Sequence, residues 1–376
     1  MKLFTTHAIY KNTHVVLRID VNVPIENGKI QDSFRIDKAL KTIDMLLKKK
    51  AYITLIAHHG TEGQSLEPVA RYMAKKGYDI HFVQEDIFDK KVCASIRSLA
   101  TSGIVFLENI RTYEEEEKNS VTLAKAIASL GDVYINDAFS VSHRKHASIV
   151  GVPKFLPSYA GYQLFEEVKN LSVALDQKKH PFFFLLGGAK FATKVPLIKK
   201  YIARADGVFV GGAILNTLFE AGGFPIGASV SDSIYIKEAK KIIKEPTVLM
   251  ATDVVVEGGK TSIALDEVKK DDMIVDIGKE TTARLIEKLH KAKLVVWNGP
   301  FGWYEKGYNK STVAVAKALL ASKAQTIIGG GDTASAIQKI LKGNPLPKNV
   351  FISTGGGATL DFLSQGTLVG IEALGK

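Results

Sequence analysis

The chain has 376 residues, 46% of them hydrophobic and 24% charged, which is the balance of a folded globular protein and leaves room for two domains with substantial cores. Its formal charge of +11 admits nucleic acid, an acidic membrane surface or small anions as partners. A single cysteine, Cys93, excludes an intramolecular disulfide, and no His/Cys metal spacing accompanies it.

The one basic run, Lys48-Lys49-Lys50, closes a helical pattern, where cations suit the helix dipole and need no polyanion. The first residues lack an apolar core followed by a cleavage site, and no apolar run is long enough to span a bilayer. The expectation is a cytoplasmic protein.

From Val15 onward, short apolar runs alternate with helical patterns. VVLRIDVNV leads to a helix over Arg35–Lys50, YITLIAH to a helix near Glu67–Lys76, then IHFV, IVFLEN, a helix near Val121–Leu130, and VYINDAF. Strand then helix, repeated, predicts a mainly parallel sheet covered by helices. A second series begins at Phe182 with FFFLL and continues through GVFVGG, TVLMATDVVV, MIVDIG, LVVWNGP, TIIGGGD and VFISTGGG. Between the series, Tyr159–Gln177 carries apolar residues at helical spacing after Pro153 and Pro157, which predicts one long joining helix.

Ligands of open α/β sheets gather at the carboxyl ends of the strands. In the first series those ends carry Arg18, Asp20 and Asn22; His58 and His59; Glu108, Asn109 and Arg111; and Asn136, Asp137, His143, Arg144 and His146, with Arg35 nearby in DSFRI. In the second they carry glycine: Gly187-Gly188, Gly211-Gly212, Gly299 and Gly302, Gly329 to Gly331, and Gly355 to Gly357. Arginine forks match carboxylate and phosphate oxygens, so the first half suits a small, highly anionic metabolite. Glycine turns ahead of helices present backbone amides to phosphates, and Lys190 and Lys194, four apart, add positive charge. Asp332, directly after the Gly329–Gly331 triplet, can hold Mg²⁺ beside phosphates. Each cluster alone is compatible with helix caps and tight turns; all of them together point to a nucleotide and an acidic substrate.

Other chemistries fit less well. GGKT at Gly258–Thr261 ends like a Walker loop, but Val254 stands where that pattern needs glycine. No G-x-G-x-x-G directly follows the first strand, and there is no G-x-S-x-G nucleophile turn. His143 and His146 are flanked by Arg144 and Lys145, which favour an anion over a metal cation.

RIDVNVP, FLENIR, YINDAFSVSHRKHAS, LLGGAKFATK, VVWNGPFGWYE, IIGGGDTAS and STGGGATLDFL follow one another from Arg18 to Leu363. In these motifs nearly the whole chain resembles the phosphoglycerate kinase family. The resemblance implies an α/β fold of two Rossmann-like three-layer α/β/α domains with mainly parallel sheets, joined by a long helix. Residues 1–158 would bind the phosphoglycerate, 159–177 form the interdomain helix, 178–362 bind the nucleotide, and 363–376 return to the first domain. It further implies a hinge-bending monomer that reversibly transfers a phosphoryl group between ATP and the carboxylate of 3-phosphoglycerate, giving 1,3-bisphosphoglycerate and ADP with Mg²⁺.

Residue by residue, the resemblance assigns Asp20, Asn22, Arg35, His58, Arg111 and Arg144 to the phosphoglycerate. It assigns Lys190, Lys194, Gly299, Glu305 and Gly330 to Thr333 to the nucleotide, with Asp332 serving the metal and Glu305 the ribose. Gly331 and Gly356 would offer amides along the phosphate path, while Arg35 and Lys190 neutralise the moving group. Three positions depart from the family pattern: Thr61 replaces an arginine in His58-His59-Gly60-Thr61, Ser140 a glycine and Lys279 a proline. A lost charge-assisted contact at Thr61 costs about 1.5–3 kcal/mol unless His59 or a lysine substitutes. The alternative expectation is therefore a catalytically weakened relative acting as a nucleotide-binding or interaction protein.

Overall fold

A computed structural model of the protein describes residues 3–4, 11–60, 64–176, 178–259 and 261–375. The chain forms two compact units, residues 1–169 with 365–376, and residues 170–364. Among the described residues no helix is long and apolar enough to cross a membrane.

Apart from a small antiparallel ribbon of Ile25–Glu26 and Lys29–Ile30, the first unit has a main sheet built from β1 (His14–Arg18), β2 (Tyr52–Ile56), β3 (Ile80–Val83), β4 (Ile104–Leu107), β5 (Val133–Asn136) and β6 (Ser158–Ala160). Their order is β3-β4-β2-β1-β5-β6, with every pairing parallel. Val15 to Arg18 and all of β4 and β5 are buried, as strands covered on both faces must be. The helix Phe34–Lys48 turns Ile36, Ala39, Leu40, Ile43 and Leu46 inward, a spacing of three and four that makes one apolar stripe. That stripe shares a core with Val15, Leu17, Ile53 and Leu55, each large aliphatic burial contributing about 1.5–3 kcal/mol before entropy is counted.

The second unit contains β7 (Phe182–Leu186), β8 (Gly207–Val210), β9 (Val248–Leu249), β10 (Asp253–Val256), β11 (Ile263–Ala264), β12 (Ile274–Ile277), β13 (Leu294–Asn298), β14 (Gln325–Gly329) and β15 (Val350–Ile352). Six of them form a parallel sheet in the order β9-β8-β7-β13-β14-β15. All five residues of β7 are buried, and Phe184 stacks on Tyr201 with ring centroids 4.0 Å apart.

Two features differ from the sequence expectations. The stretch TVLMATDVVV is broken: β9 stays in the parallel sheet, whereas β10, β11 and β12 form a separate antiparallel sheet. Asp253 makes the break, because its carboxylate accepts from the amides of Glu280 (2.9 Å) and Thr281 (2.8 Å) and so caps the helix Lys279–Leu289. The joining helix runs Tyr162–Ser172 rather than through Tyr159–Gln177. Ser158–Ala160 is drawn into the sheet beside β5, and Val173 to Leu175 continue in turns; Gln177 lies outside the described residues.

Candidate functional site

In the first unit, β1, β2, β4 and β5 are neighbours, so the charged segments that follow them converge. Arg18 is 1% exposed. Its Nε donates to Ser148 Oγ (3.1 Å), and its Nη2 lies 3.1 Å from His58 Nδ1. Burial, and then the charges of Arg18, Arg111, Arg144 and Arg35, hold the His58 imidazole well below the usual histidine range. Behind Arg18 lies Glu116, fully buried, which accepts from Ser148 N at 2.8 Å and from Ser148 Oγ. Burial pushes its carboxyl up while Arg18 and Ser148 pull it back.

Asp20 organises the next shell of contacts. It pairs with half-buried Arg35 at 3.3 Å, accepts from Asn22 N at 3.1 Å and accepts the hydroxyl of Ser140. Asn22 Oδ1 in turn accepts from Gly60 N at 3.0 Å, and Asn22 O from Arg35 Nη1 at 3.1 Å. Arg111 donates to Gly60 O and lies 3.5 Å from Glu117. His59 is 7% exposed, its backbone held by Asn109 (2.8 Å to His59 O), and burial keeps it neutral-leaning. Thr61 lies outside the described residues.

In the second unit, glycines follow five adjacent strands. Gly188, Gly212, Gly299 and Gly330 have φ of +109°, +66°, +91° and +92°, where an L side chain is strained. The turns also press on one another: a Cβ on Gly212 would lie 2.6 Å from Gly188 O, and one on Gly299 2.7 Å from Gly187 O. By contrast Gly331, Gly356 and Gly357 face open space, which leaves their backbone free to approach a ligand.

Lys194, in the first turns of the helix Phe191–Ile202, reaches Asn298 Oδ1 at 3.3 Å, and burial lowers its ammonium to about 8. Lys190 is exposed and stands just before that helix in extended backbone, so the two lysines do not share a helical face as their spacing suggested. The first amide of the helix is also taken, by Asp232 at 2.9 Å from Phe191 N. The helix Gly331–Leu341 has no side-chain cap, and Asp332 lies exposed in its first turn. Two buried polar atoms here lack hydrogen-bond partners, Thr333 Oγ1 and Asn298 Nδ2.

Beside these turns a cavity of about 490 Å³ opens, walled by Leu215, Ile274, Val275 and Phe301, with Glu305 and Asp332 among its polar lining. Although solvent reaches its side chain, Asp332 is pushed up by its partial enclosure at the cavity and then by the charge of Glu305. This local excess of negative charge suits a divalent cation. Among the described residues no group of three or more His, Cys, Asp and Glu could hold a metal by itself.

The profile of the family described as phosphoglycerate kinase matches residues 6–366. The chain is 37% identical to the phosphoglycerate kinase of Finegoldia magna and 36% to that of Coprothermobacter proteolyticus, over 97% of its length and 96% of each relative. It superposes on the phosphoglycerate kinase of Pyrococcus horikoshii OT3 with a TM-score of 0.88 at 30% identity, covering 100% of this chain and 98% of that one. On the enzyme from Coxiella burnetii the TM-score is 0.84 at 32% identity, with 98% of both chains covered. The chain belongs to the phosphoglycerate kinase family.

Ser140 spends its hydroxyl on Asp20, and Lys279 opens a helix whose amides Asp253 caps. Four residues beside the site received no role from the sequence: Glu116 and Asn216, which lie outside the quoted motifs, and Ser148 and Asn298, which lie within them. Glu116 sits in a run of four glutamates that reads as a solvated face, and nothing in that run marks the one that is buried.

Proposed function

We propose that the chain catalyses reversible phosphoryl transfer between ATP and the carboxylate of 3-phosphoglycerate, the activity of a phosphotransferase with a carboxyl acceptor. The observation that carries the reading is the gathering of guanidinium groups at the strand ends: Arg18 Nη2 lies 3.1 Å from His58 Nδ1, Arg35 Nη1 donates to Asn22 O and Arg111 to Gly60 O, and Arg144 also acts on the His58 imidazole. Asp20, Glu117 and Glu116 balance part of this positive charge within the protein, and the surplus favours a small, highly charged anion as working partner.

On this reading Arg35, Arg111 and Arg144 bind the phosphate and carboxylate of the phosphoglycerate. Asp20 and Asn22 hold Arg35 and the Gly60 loop in place for it, through the contacts of 3.3, 3.1 and 3.0 Å. His58 offers a neutral N–H, and His59 stiffens the loop from beneath. Lys194 and Lys190 neutralise nucleotide phosphates, and the turns at Gly299, Gly330, Gly331 and Gly356 offer amides to them. Glu305 takes the ribose, and Thr333 supplies a hydroxyl that has no partner within the protein. Asp332 fits Mg²⁺, which needs one or two carboxylates and completes its shell with phosphate oxygens and water. When bound, that ion neutralises charge on the transferring phosphates.

The acceptor carboxylate is ionised at neutral pH, so no residue need act as base; positioning and charge neutralisation carry the rate. The alternative of a weakened relative is disfavoured, since the sequence keeps Arg35, Lys190, Lys194 and Asp332. We read the protein as a cytoplasmic monomer whose ligands are these small anions rather than nucleic acid or membrane, supported by basic residues concentrated at strand ends.

Calorimetric titration of two variants tests the division of labour. Arg35→Ala should lose 3-phosphoglycerate affinity and keep Mg-ADP affinity, and Lys194→Ala should do the reverse. Loss of both ligands in either variant, with the fold intact by circular dichroism, would contradict it.

A further inference from the structure

Arg18 and Glu116 are opposite charges buried in one network, yet they meet through a neutral hydroxyl. Ser148 Oγ accepts from Arg18 Nε at 3.1 Å and donates to Glu116 Oε1, while Ser148 N donates to Glu116 Oε2 at 2.8 Å. Arg18 is 1% exposed, and Ser148 and Glu116 are fully enclosed. A guanidinium and a carboxylate in such an interior favour direct, two-bonded pairing. Here both carboxylate oxygens are engaged by Ser148 instead, and His146 Nδ1, at 3.8 Å, is too far to hydrogen-bond to either.

Ser148 holds this intermediate place because its backbone is fixed. It lies in a single π-helical turn, Ala147–Gly151, a rare conformation found often at functional sites, and its carbonyl accepts the hydroxyl of buried Tyr134. The effect reaches the far side of Arg18. With Nε on Ser148 and Nη1 donating to Ile19 O, Nη2 is directed to His58 Nδ1 at 3.1 Å. Burial lowers the Arg18 pKa, and Glu116 is foremost among the charges that oppose this, so the carboxylate keeps the guanidinium charged without capturing it. Without the hydroxyl, attraction between the two charges draws Arg18 toward Glu116 and away from His58.

We propose that Ser148 is a positioning residue for phosphoglycerate binding: its hydroxyl spaces Arg18 from Glu116, which keeps Arg18 on His58 Nδ1 and the His58 Nε2 proton directed to the substrate. This rests on the phosphoryl-transfer reading given above.

Ser148→Ala removes the hydroxyl and little else, and two readouts follow it. In nitrogen-15 NMR, His58 Nδ1 should become partly protonated as the two ring tautomers mix. In steady-state kinetics, KM for 3-phosphoglycerate should rise about ten-fold, the worth of one charge-assisted hydrogen bond, with KM for Mg-ATP unchanged. Ser148→Cys, close in size and a weaker hydrogen-bonding group, should move both readouts the same way by less. A hydroxyl with a merely structural role would lower the urea midpoint and leave the tautomer as it is. The assignment is overturned by a His58 ring in Ser148→Ala that matches the native one, or by Michaelis constants that stay equal to the native values or rise together. A native protein without turnover would remove the phosphoglycerate reading, while the NMR comparison still decides whether the hydroxyl sets the place of Arg18.

Discussion

Arg18 Nη2 lies 3.1 Å from His58 Nδ1, and since a guanidinium has donors and no acceptor, the contact fixes Nδ1 as the bare nitrogen. His58 is thereby a neutral imidazole carrying its proton on Nε2, the nitrogen left for a ligand. Nitrogen-15 NMR should show Nδ1 unprotonated and Nε2 protonated at neutral pH, with the titration displaced well below the usual histidine range. A shift change centred near the ordinary histidine pKa would show that Arg18 does not hold the ring this way.

Glu116 supplies the only carboxylate in the hydrogen-bonded group formed by Arg18, Ser148 and His58 among the described residues. Removing its charge leaves the buried guanidinium with only the weaker influence of Asp20 as counter-ion, at a cost of about 3 kcal/mol. Glu116→Gln should therefore lower the urea midpoint of the first unit with an unchanged m-value. A midpoint within experimental error of the native one would mean that Arg18 is balanced elsewhere.

Both of those residues bear on what could be read without coordinates. The strand ends were legible because parallel strands write themselves as apolar runs, and the residue after each run must lie at one edge of the sheet. His58, Arg111 and Asp332 were accessible by that logic, whereas Arg35, in the first turn of the helix Phe34–Lys48, was added from DSFRI. Glu116 and Asn216 were not, because their significance is burial, and burial of one glutamate in EEEE or one asparagine in AILNTLFEA depends on packing by distant segments. The antiparallel β10–β12 sheet escaped for a related reason. Its strands are as apolar as the parallel ones, and the cue that separates them is the capping role of Asp253 toward a helix more than twenty residues away.

His146 carries a separate pH signature. Burial lowers it from 6.5 to about 4, so between those values the unfolded chain binds a proton that the folded one refuses. Stability attributable to His146 is thus full above about pH 6.5 and is lost progressively as pH falls toward about 4. Asp137 and Asp276, raised to about 6 by burial, act in the opposite sense, favouring the fold as pH falls through about 6. The difference between native protein and His146→Gln isolates the histidine. Thermal unfolding from pH 7 to 4 should show a shallower acid loss in the variant, and parallel curves would refute the assignment.

Lys194 titrates near pH 8 because burial disfavours its ammonium. Its positive charge is present below that value and lost above it, so Mg-ADP affinity should weaken as pH rises through about 8. Lys194→Arg, which stays charged, should flatten that limb. If the native protein holds Mg-ADP equally at pH 7 and 9.5, Lys194 does not contact the nucleotide phosphates.

The central claim is a phosphoryl transfer that needs both the arginine cluster of one unit and the lysines of the other. Steady-state turnover with Mg-ATP and 3-phosphoglycerate, coupled to glyceraldehyde-3-phosphate dehydrogenase and followed as NADH loss, tests it most directly. The account predicts saturable activity in both substrates that vanishes in Lys190→Ala and in Arg35→Ala. Undetectable turnover in a native protein that still binds Mg-ADP would contradict it.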